Sequence, residues 1–321
     1  AMFPFMNTAR IGTAIQGVCH AELSFQGALP YALERRSMRA LSGKKEPDQV
    51  ADALVWHPDV RRMLLTQKAI AEGGRAMIYS AAQIADKMFS AVLAGDQKQY
   101  EAYDSELGFF TPILKGFITE MGLEAANLGM QVFGGHGYIQ DHGMEQIARD
   151  ARIATLYEGT TGIQALDLLG RKVLLGTKGK CVRDFSATML SLAKPHLFSR
   201  GPLGSMARSL LLRAGQWNLL TTRLMLRSAR DREQVGAASY DFLMYSGFCM
   251  MAHFWLLQAI RASEQLASGS GAESAAFYQA KIETAQFYFA RLLPRANSHH
   301  VAALASTASL MQTDKDNLRI A

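Results

Sequence analysis

Two stretches of this sequence hold residue types whose spacing suits chemistry. The first is Gln131-Val132-Phe133-Gly134-Gly135-His136-Gly137-Tyr138. Its glycines end a helical pattern and let backbone N–H groups approach a ligand closely, as a phosphate or pyrophosphate requires. A plain helix C-cap is the commoner use of such a loop. No strand pattern precedes it, so context excludes a Rossmann fingerprint. The second stretch is Leu156-Tyr157-Glu158-Gly159-Thr160-Thr161, preceded by Arg149-Asp150-Ala151-Arg152-Ile153. Glu158, between apolar neighbours and a glycine, can be a carboxylate desolvated on one side and open to substrate on the other, which is what a general base needs. The alternative is a solvated glutamate opening a helix, with Thr160 and Thr161 as capping residues. Elsewhere the residues point to structure. His299-His300 is adjacent in sequence, whereas metal ligands on a helix stand a turn apart, so it reads as a surface pair. Asp141 and His142 read as the end of a loop and the cap of the next helix. Trp217, Trp255, Phe277-Tyr278 and Phe287-Tyr288-Phe289 recur near helical spacing and belong to core packing or an interface.

The elements that must position these residues are helices. Apolar residues recur at helical period over 58–93, and similar patterns run over 9–41, with Pro30 as a kink, and 107–132, where Thr111-Pro112 suits a first turn or a kink. Further patterns cover 182–197, 203–232, 240–266 and 275–293, with a short one toward Met311. Strand patterns are missing. Long helices with short, breaker-rich connections predict an all-α fold, a four-helix bundle ending near Leu175 and followed by a second helical bundle. The division is therefore expected at 1–175 and 176–321.

Composition narrows the function classes. Apolar residues make up 49% and charged residues 19%, which excludes a disordered chain. The net charge of +6 is spread along helical segments without a basic tract, so no nucleic-acid partner is expected. Cys19, Cys181 and Cys249 lie far apart and read as reduced core thiols of a cytoplasmic protein, neither a disulfide framework nor a metal knuckle. The longest apolar stretch, 242–260, is interrupted by Ser246, Gly247, His253 and Gln258, so no integral membrane segment is expected. Ala1-Met2-Phe3-Pro4-Phe5 lacks a charged leader and a cleavage site and does not read as a signal peptide.

As a set, Gln-x-Phe-Gly-Gly-x-Gly-Tyr, Arg-Asp-Ala-Arg-Ile and Tyr-Glu-Gly-Thr at this spacing resemble the C-terminal helical domain of acyl-CoA dehydrogenases. Upstream, Asn7-Thr8-Ala9-Arg10-Ile11-Gly12 resembles the start of that domain's first helix, and Tyr31-Ala32-Leu33-Glu34-Arg35 its flavin-contacting segment. The insertion at 43–57 and the helical extension after residue 172 are similar to a large bacterial subfamily that includes 3-(methylthio)propionyl-CoA dehydrogenases.

The resemblance implies FAD-dependent α,β-dehydrogenation of an acyl-CoA, with electrons passed to an electron-transfer flavoprotein. Glu158 then matches the base, with Tyr157 and Gly159 beside the substrate. The alternative base position of the family is Ala9 here, which cannot ionise. Arg10 and Asn7 match residues that hold the substrate's CoA part, although Asn7 stands where the family often has Asp. Arg35 matches the partner of the FAD pyrophosphate of a neighbouring subunit, with Arg39 one turn later on the same face. Gln131, Gly134, Gly135 and Thr160 match further FAD contacts. Met38-Arg39 replaces the family's usual Phe-Gly, and Gly162 replaces a frequent Gln, so neither contact is carried over. A homodimer or higher homo-oligomer is implied. Family enzymes also carry an N-terminal helical domain and a middle β-domain before the point where this sequence starts, so these 321 residues alone are expected to be inactive. Two other readings are a catalytically silent helical scaffold of the same superfamily and an acyl-CoA oxidase, whose flavin oxygen would reoxidise.

Overall fold

A computed structural model describes residues 2–319, with side chains from residue 7 onward. The reading of the first five residues as no signal peptide rests on side chains outside that description. Helix accounts for 81% of the chain, and no strand occurs among the described residues, as the absence of alternating apolar patterns requires.

The contacts group into two units, one of residues up to 79 with 118–158, the other of 80–117 with 159 onward. In the first, α1 (Met2–Glu34) and the first part of α2 (Pro58–Leu93) are joined by a long loop. The 58–93 pattern thus forms one helix as expected, whereas α1 stops seven residues short of the expected 41. The cause is the loop. Asp52 is fully buried and accepts hydrogen bonds from the backbone N–H groups of Ala40 at 2.8 Å, Glu46 at 2.9 Å and Lys45 at 3.0 Å, and from Arg39 Nη1 at 3.1 Å. Residues 39–46 therefore wrap a carboxylate instead of continuing a helix. Arg39 serves this loop and is not on a helical face shared with Arg35.

Those donors, first the Ala40 amide and against the opposing effect of burial, hold the Asp52 carboxyl far below the usual carboxylate range. A depressed folded-state value means that this contribution is complete above the unfolded value of about 3.9 and is lost as pH falls through the folded one. The loop should accordingly stay ordered well into mild acid. Asp52→Asn replaces one acceptor by a donor facing N–H groups, so trypsin should cut after the exposed Lys44 and Lys45 several-fold faster than in wild type at pH 7. Equal cleavage rates would show that other contacts order the loop.

After α3 (Gln97–Ile113) comes a π-helical turn, Leu114–Ile118, and then α4 (Thr119–Phe133). Helix α3 begins ten residues before the expected 107 because Asp96 caps it, accepting from the Gln99 N–H at 3.0 Å. Its charged first half hides the apolar period that the reading relied on. Within the first unit α4 lies against α1 at backbone distance: a Cβ at Gly122 would stand 2.4 Å from the Gly17 carbonyl oxygen. Helix α5 (Met144–Ala154) completes this unit. Its N-cap is Gly143, with no side-chain cap bond, so Asp141 and His142 do not cap it as expected; they lie in a preceding 3-10 turn.

The second unit holds α6 (Thr161–Leu166), continued by a π-helix, Asp167–Gly176. It also holds α7 (Lys180–Ala193), α8 (Pro202–Ser228), α9 (Glu233–Ser268), α10 (Ala275–Phe287), α11 (Ala296–Ala303) and α12 (Ala308–Met311). Trp217, Trp255, Tyr245 and Tyr288 are fully buried there, as core aromatics. Helix α9 is long and apolar enough to cross a membrane, but 89% of its most apolar window is buried within the protein, which makes it a core helix, in line with the expectation of no integral membrane segment. Two expectations change. His299 is half-buried, bonded through Nδ1 to Asp241 at 2.7 Å and stacked on Phe248, so His299-His300 is no surface pair. Of the three cysteines only Cys249 is buried; Cys181 is half-buried and Cys19 exposed.

Candidate functional site

Four of the five proposed cofactor residues, Arg35, Gln131, Gly134 and Gly135, line one cleft; Thr160 is not among its lining residues. Arg35 follows the last turn of α1, its N–H bonded to the Tyr31 carbonyl at 2.8 Å, and its own carbonyl accepts from the Leu54 N–H at 2.8 Å. Tyr31, Arg35, Ser37, Leu54, Gln131 and residues 133–136 line a cleft of ≈ 470 Å³. Its floor is an apolar cluster centred on Ala28, Ala32, Met63, Leu64 and Val132. The Tyr31 ring stacks on Phe133 at 4.0 Å, and its hydroxyl lies 2.8 Å from His136 Nδ1. That tie fastens the glycine loop to α1. His136 is a wall residue that sequence reading passed over, since the family pattern leaves its position open.

The cleft suits a diphosphate. A Cβ added at Gly134 or Gly135 would meet nothing within 4 Å, so ligand atoms can approach this backbone, and Arg35 is exposed at the rim.

The Glu158 segment lies between α5 and α6. Arg152 at the end of α5 donates through Nη1 to Thr155 Oγ at 2.8 Å, and the N–H groups of Leu156 and Tyr157 return to the Ile153 carbonyl at 3.0 and 3.3 Å. This local turn is what the Arg-Asp-Ala-Arg-Ile stretch builds. The chain then reverses through two left-handed residues, Glu158 at φ 57° and Gly159 at φ 89°. Thr160 caps α6, its hydroxyl accepting from the Ile163 N–H at 3.4 Å. The Glu158 side chain is half-buried, while Tyr157 and Leu156 are 37% and 43% exposed, so the expected apolar flanks are not closed over it in this chain. The Tyr157 hydroxyl donates to Gln16 Oε1 on α1.

Arg10 is buried on α1 at 7% exposure, and Asn7 is half-buried a turn earlier. At about 1.5 Å per residue, α1 holds the Arg10 and Arg35 backbones about 37 Å apart. The structure thus places the cleft at one end of α1 and Asn7 and Arg10 toward the other.

A further residue escaped the sequence reading. Lys115, fully buried, donates through Nζ to the Gly159 carbonyl at 2.6 Å. Its signal was a single lysine inside the apolar run Phe109-Phe110-Thr111-Pro112-Ile113-Leu114-Lys115-Gly116-Phe117-Ile118. No group of three or more metal-ligating side chains occurs among the described residues.

Comparison with known proteins identifies the family. The family model described as "Acyl-CoA dehydrogenase, C-terminal domain" matches residues 1–174, and one described as "Acetyl-CoA dehydrogenase C-terminal like" matches residues 181–314. The chain is 38% identical to a 3-methylmercaptopropionyl-CoA dehydrogenase of Ruegeria pomeroyi, over 93% of this chain and 49% of the relative. It is 31% identical to a broad-specificity linear acyl-CoA dehydrogenase of Mycobacterium tuberculosis, over 99% of this chain and 51% of the relative. The chain therefore spans about half the length of these curated relatives. Among solved structures, an acyl-CoA dehydrogenase complexed with FAD from Bacillus anthracis superposes with a TM-score of 0.69 at 16% identity, covering 99% of this chain and 51% of that one, a likeness of fold.

Proposed function

The chain belongs to the acyl-CoA dehydrogenase family, in its C-terminal helical part, and from that premise we propose that it serves FAD-dependent α,β-dehydrogenation of an acyl-CoA thioester with Glu158 as the base. The observation that carries this reading is the backbone at Glu158. A non-glycine residue at φ 57° costs on the order of 1–3 kcal/mol, and such strain persists where the surroundings hold it for a purpose. Here it aims a half-buried carboxylate out of a turn between two helices.

In the proposed reaction Glu158 takes the proton from the carbon beside the thioester carbonyl. The N–H of Glu158 donates to that carbonyl, where negative charge gathers as the proton leaves. Tyr157 and Gly159 line the substrate on either side of the base, and Asn7 and Arg10 hold the CoA part from α1. FAD, when bound, would supply the two-electron acceptor for the β-hydrogen. Arg35 pairs with the cofactor's diphosphate, Gln131, Gly134 and Gly135 present the cleft to it, and Thr160 contacts FAD after the base. We read the cleft as taking the FAD of a neighbouring subunit, in a homodimer or higher oligomer, as the family resemblance of Arg35 implies. Residues 1–175 form this half-site, 176–321 a helical extension, and the setting is cytoplasmic. Electrons leave to an electron-transfer flavoprotein. The 38% relative favours 3-(methylthio)propionyl-CoA or a fatty acyl-CoA as substrate.

The test uses protein expressed from the complete reading frame and loaded with FAD. Anaerobic mixing with 3-(methylthio)propionyl-, butyryl- and octanoyl-CoA should bleach the flavin with at least one of them, and electron-transfer flavoprotein should restore the colour faster than oxygen does. Arg35→Ala should lower flavin retention without changing the order of acyl preference. Absence of bleaching with every acyl-CoA would favour a silent scaffold, and rapid recovery in oxygen an oxidase.

A further inference from the structure

Lys115 is a buried cation that the proposed reaction has not used. It stands in the π-helical turn Leu114–Ile118, and its side chain has no exposed surface. An ammonium in such a place is costly unless hydrogen bonds and charge compensate it. One compensation is the 2.6 Å bond from Nζ to the Gly159 carbonyl, short enough to be charge-assisted. π-Helical turns inside α-helices are frequent at functional sites, because the extra residue redirects a side chain.

The acceptor is unusual as well. Gly159 lies at φ 89°, and a Cβ there would come within 2.7 Å of Nε2 of the buried Gln164. Its bonded neighbour Glu158 is also left-handed, at φ 57°. Gly159 takes its conformation freely, whereas Glu158 holds its own only where the surroundings over-determine it. The sequence pays for a buried lysine where its ammonium grips the second of these two residues.

We propose that Lys115 is a positioning residue of the Glu158–Gly159 turn, fixing the Gly159 carbonyl and thereby the direction in which the turn presents Glu158. The inference rests on the reading of Glu158 as the base. Lys115 touches neither substrate nor flavin in this proposal; it acts through the turn.

The experiment compares Lys115→Met, Lys115→Gln and Lys115→Arg in the FAD-loaded protein from the complete reading frame, with octanoyl-CoA and an artificial electron acceptor. Methionine keeps an unbranched stem without the charge, and glutamine keeps a donor without the charge. In Lys115→Met kcat should fall about 10- to 100-fold, the cost of a slightly misplaced base, while KM changes little. Lys115→Gln, which keeps a donor, should recover part of kcat, and Lys115→Arg, which keeps donor and charge, most of it. Hydrogen exchange of the amides at 159–161 should quicken in Lys115→Met while α9 stays protected. A Lys115→Met protein with wild-type kcat, or a Lys115→Arg protein no more active than Lys115→Met, overturns the inference. Should Lys115→Met fail to fold, Lys115→Gln decides: wild-type kcat with unchanged exchange at 159–161 overturns the inference. Full activity in Glu158→Gln would sink the base assignment and this inference together; loss there with normal Lys115 variants sinks this inference alone.

Discussion

Glu158→Gln is expected to lower the rate of flavin reduction by acyl-CoA about 10²- to 10⁴-fold, the range over which a positioned general base contributes, while leaving FAD content and unfolding temperature unchanged. Glutamine has nearly the shape of glutamate and meets the same backbone demand at φ 57°, so the difference isolates proton abstraction. Substrate binding should survive, since the loss falls on a transition-state interaction and hence on kcat. A second substitution uses the strain itself. Glycine adopts left-handed φ without steric cost, whereas other residues give up roughly 1 kcal/mol or more there. Glu158→Gly should therefore be inactive yet at least as stable as wild type. A stability loss of several kcal/mol in Glu158→Gly would show that the side chain is structural, and rapid bleaching in Glu158→Gln would remove it from catalysis. Bleaching by octanoyl-CoA in a stopped-flow instrument and a thermal melt supply both readouts.

The second large effect is expected at Gly122. On helix propensity alone, Gly→Ala in a helix interior stabilises by up to about 1 kcal/mol. At Gly122 the new Cβ would lie 2.4 Å from the Gly17 carbonyl oxygen and 2.7 Å from Gly17 Cα. Both are backbone atoms of α1, so no side chain can swing away and the helices themselves must part. Overpacking of that kind costs about 1–3 kcal/mol or more and outweighs the propensity gain. Gly122→Ala should thus destabilise the first unit by about 1–2 kcal/mol net, and Gly122→Leu should prevent its folding. Gly12→Ala is the control. Gly12 also lies in α1 but is exposed, with nothing within 4 Å of an added Cβ, so the same substitution should raise stability slightly. Denaturant unfolding of the three variants reads the signs directly. A Gly122→Ala protein as stable as Gly12→Ala would mean that α1 and α4 do not cross at backbone distance.

Much of this was legible in the sequence because the signals are local. The period of apolar residues along 58–93 specifies one helix over those residues, since burying one face is enough to select it. Glycines at 134, 135 and 137, and the order Tyr157-Glu158-Gly159-Thr160, specify an irregular backbone with a carboxylate at its centre, because a turn is built from consecutive residues. The family followed from those same residues. Where local signals were misleading, a distant partner had won. α1 ends at Glu34 although the apolar pattern runs on, because Asp52 draws in the N–H groups of Ala40, Lys45 and Glu46. His299 and His300 looked exposed because adjacency says nothing of Asp241 or Phe248 on α9.

The sequence by itself determined that the chain is helical, which residues form the glycine loop and the glutamate turn, and which family those motifs belong to. Tertiary structure alone decided that Arg35 shares a cleft with Gly134 and Gly135 and that a buried Lys115 holds the Gly159 carbonyl. The physical reason is that periodicity and turn chemistry act between residues close in the chain, whereas a cleft or a buried ion contact depends on which helix faces which. That choice is made by packing over the whole fold, and no single stretch encodes it.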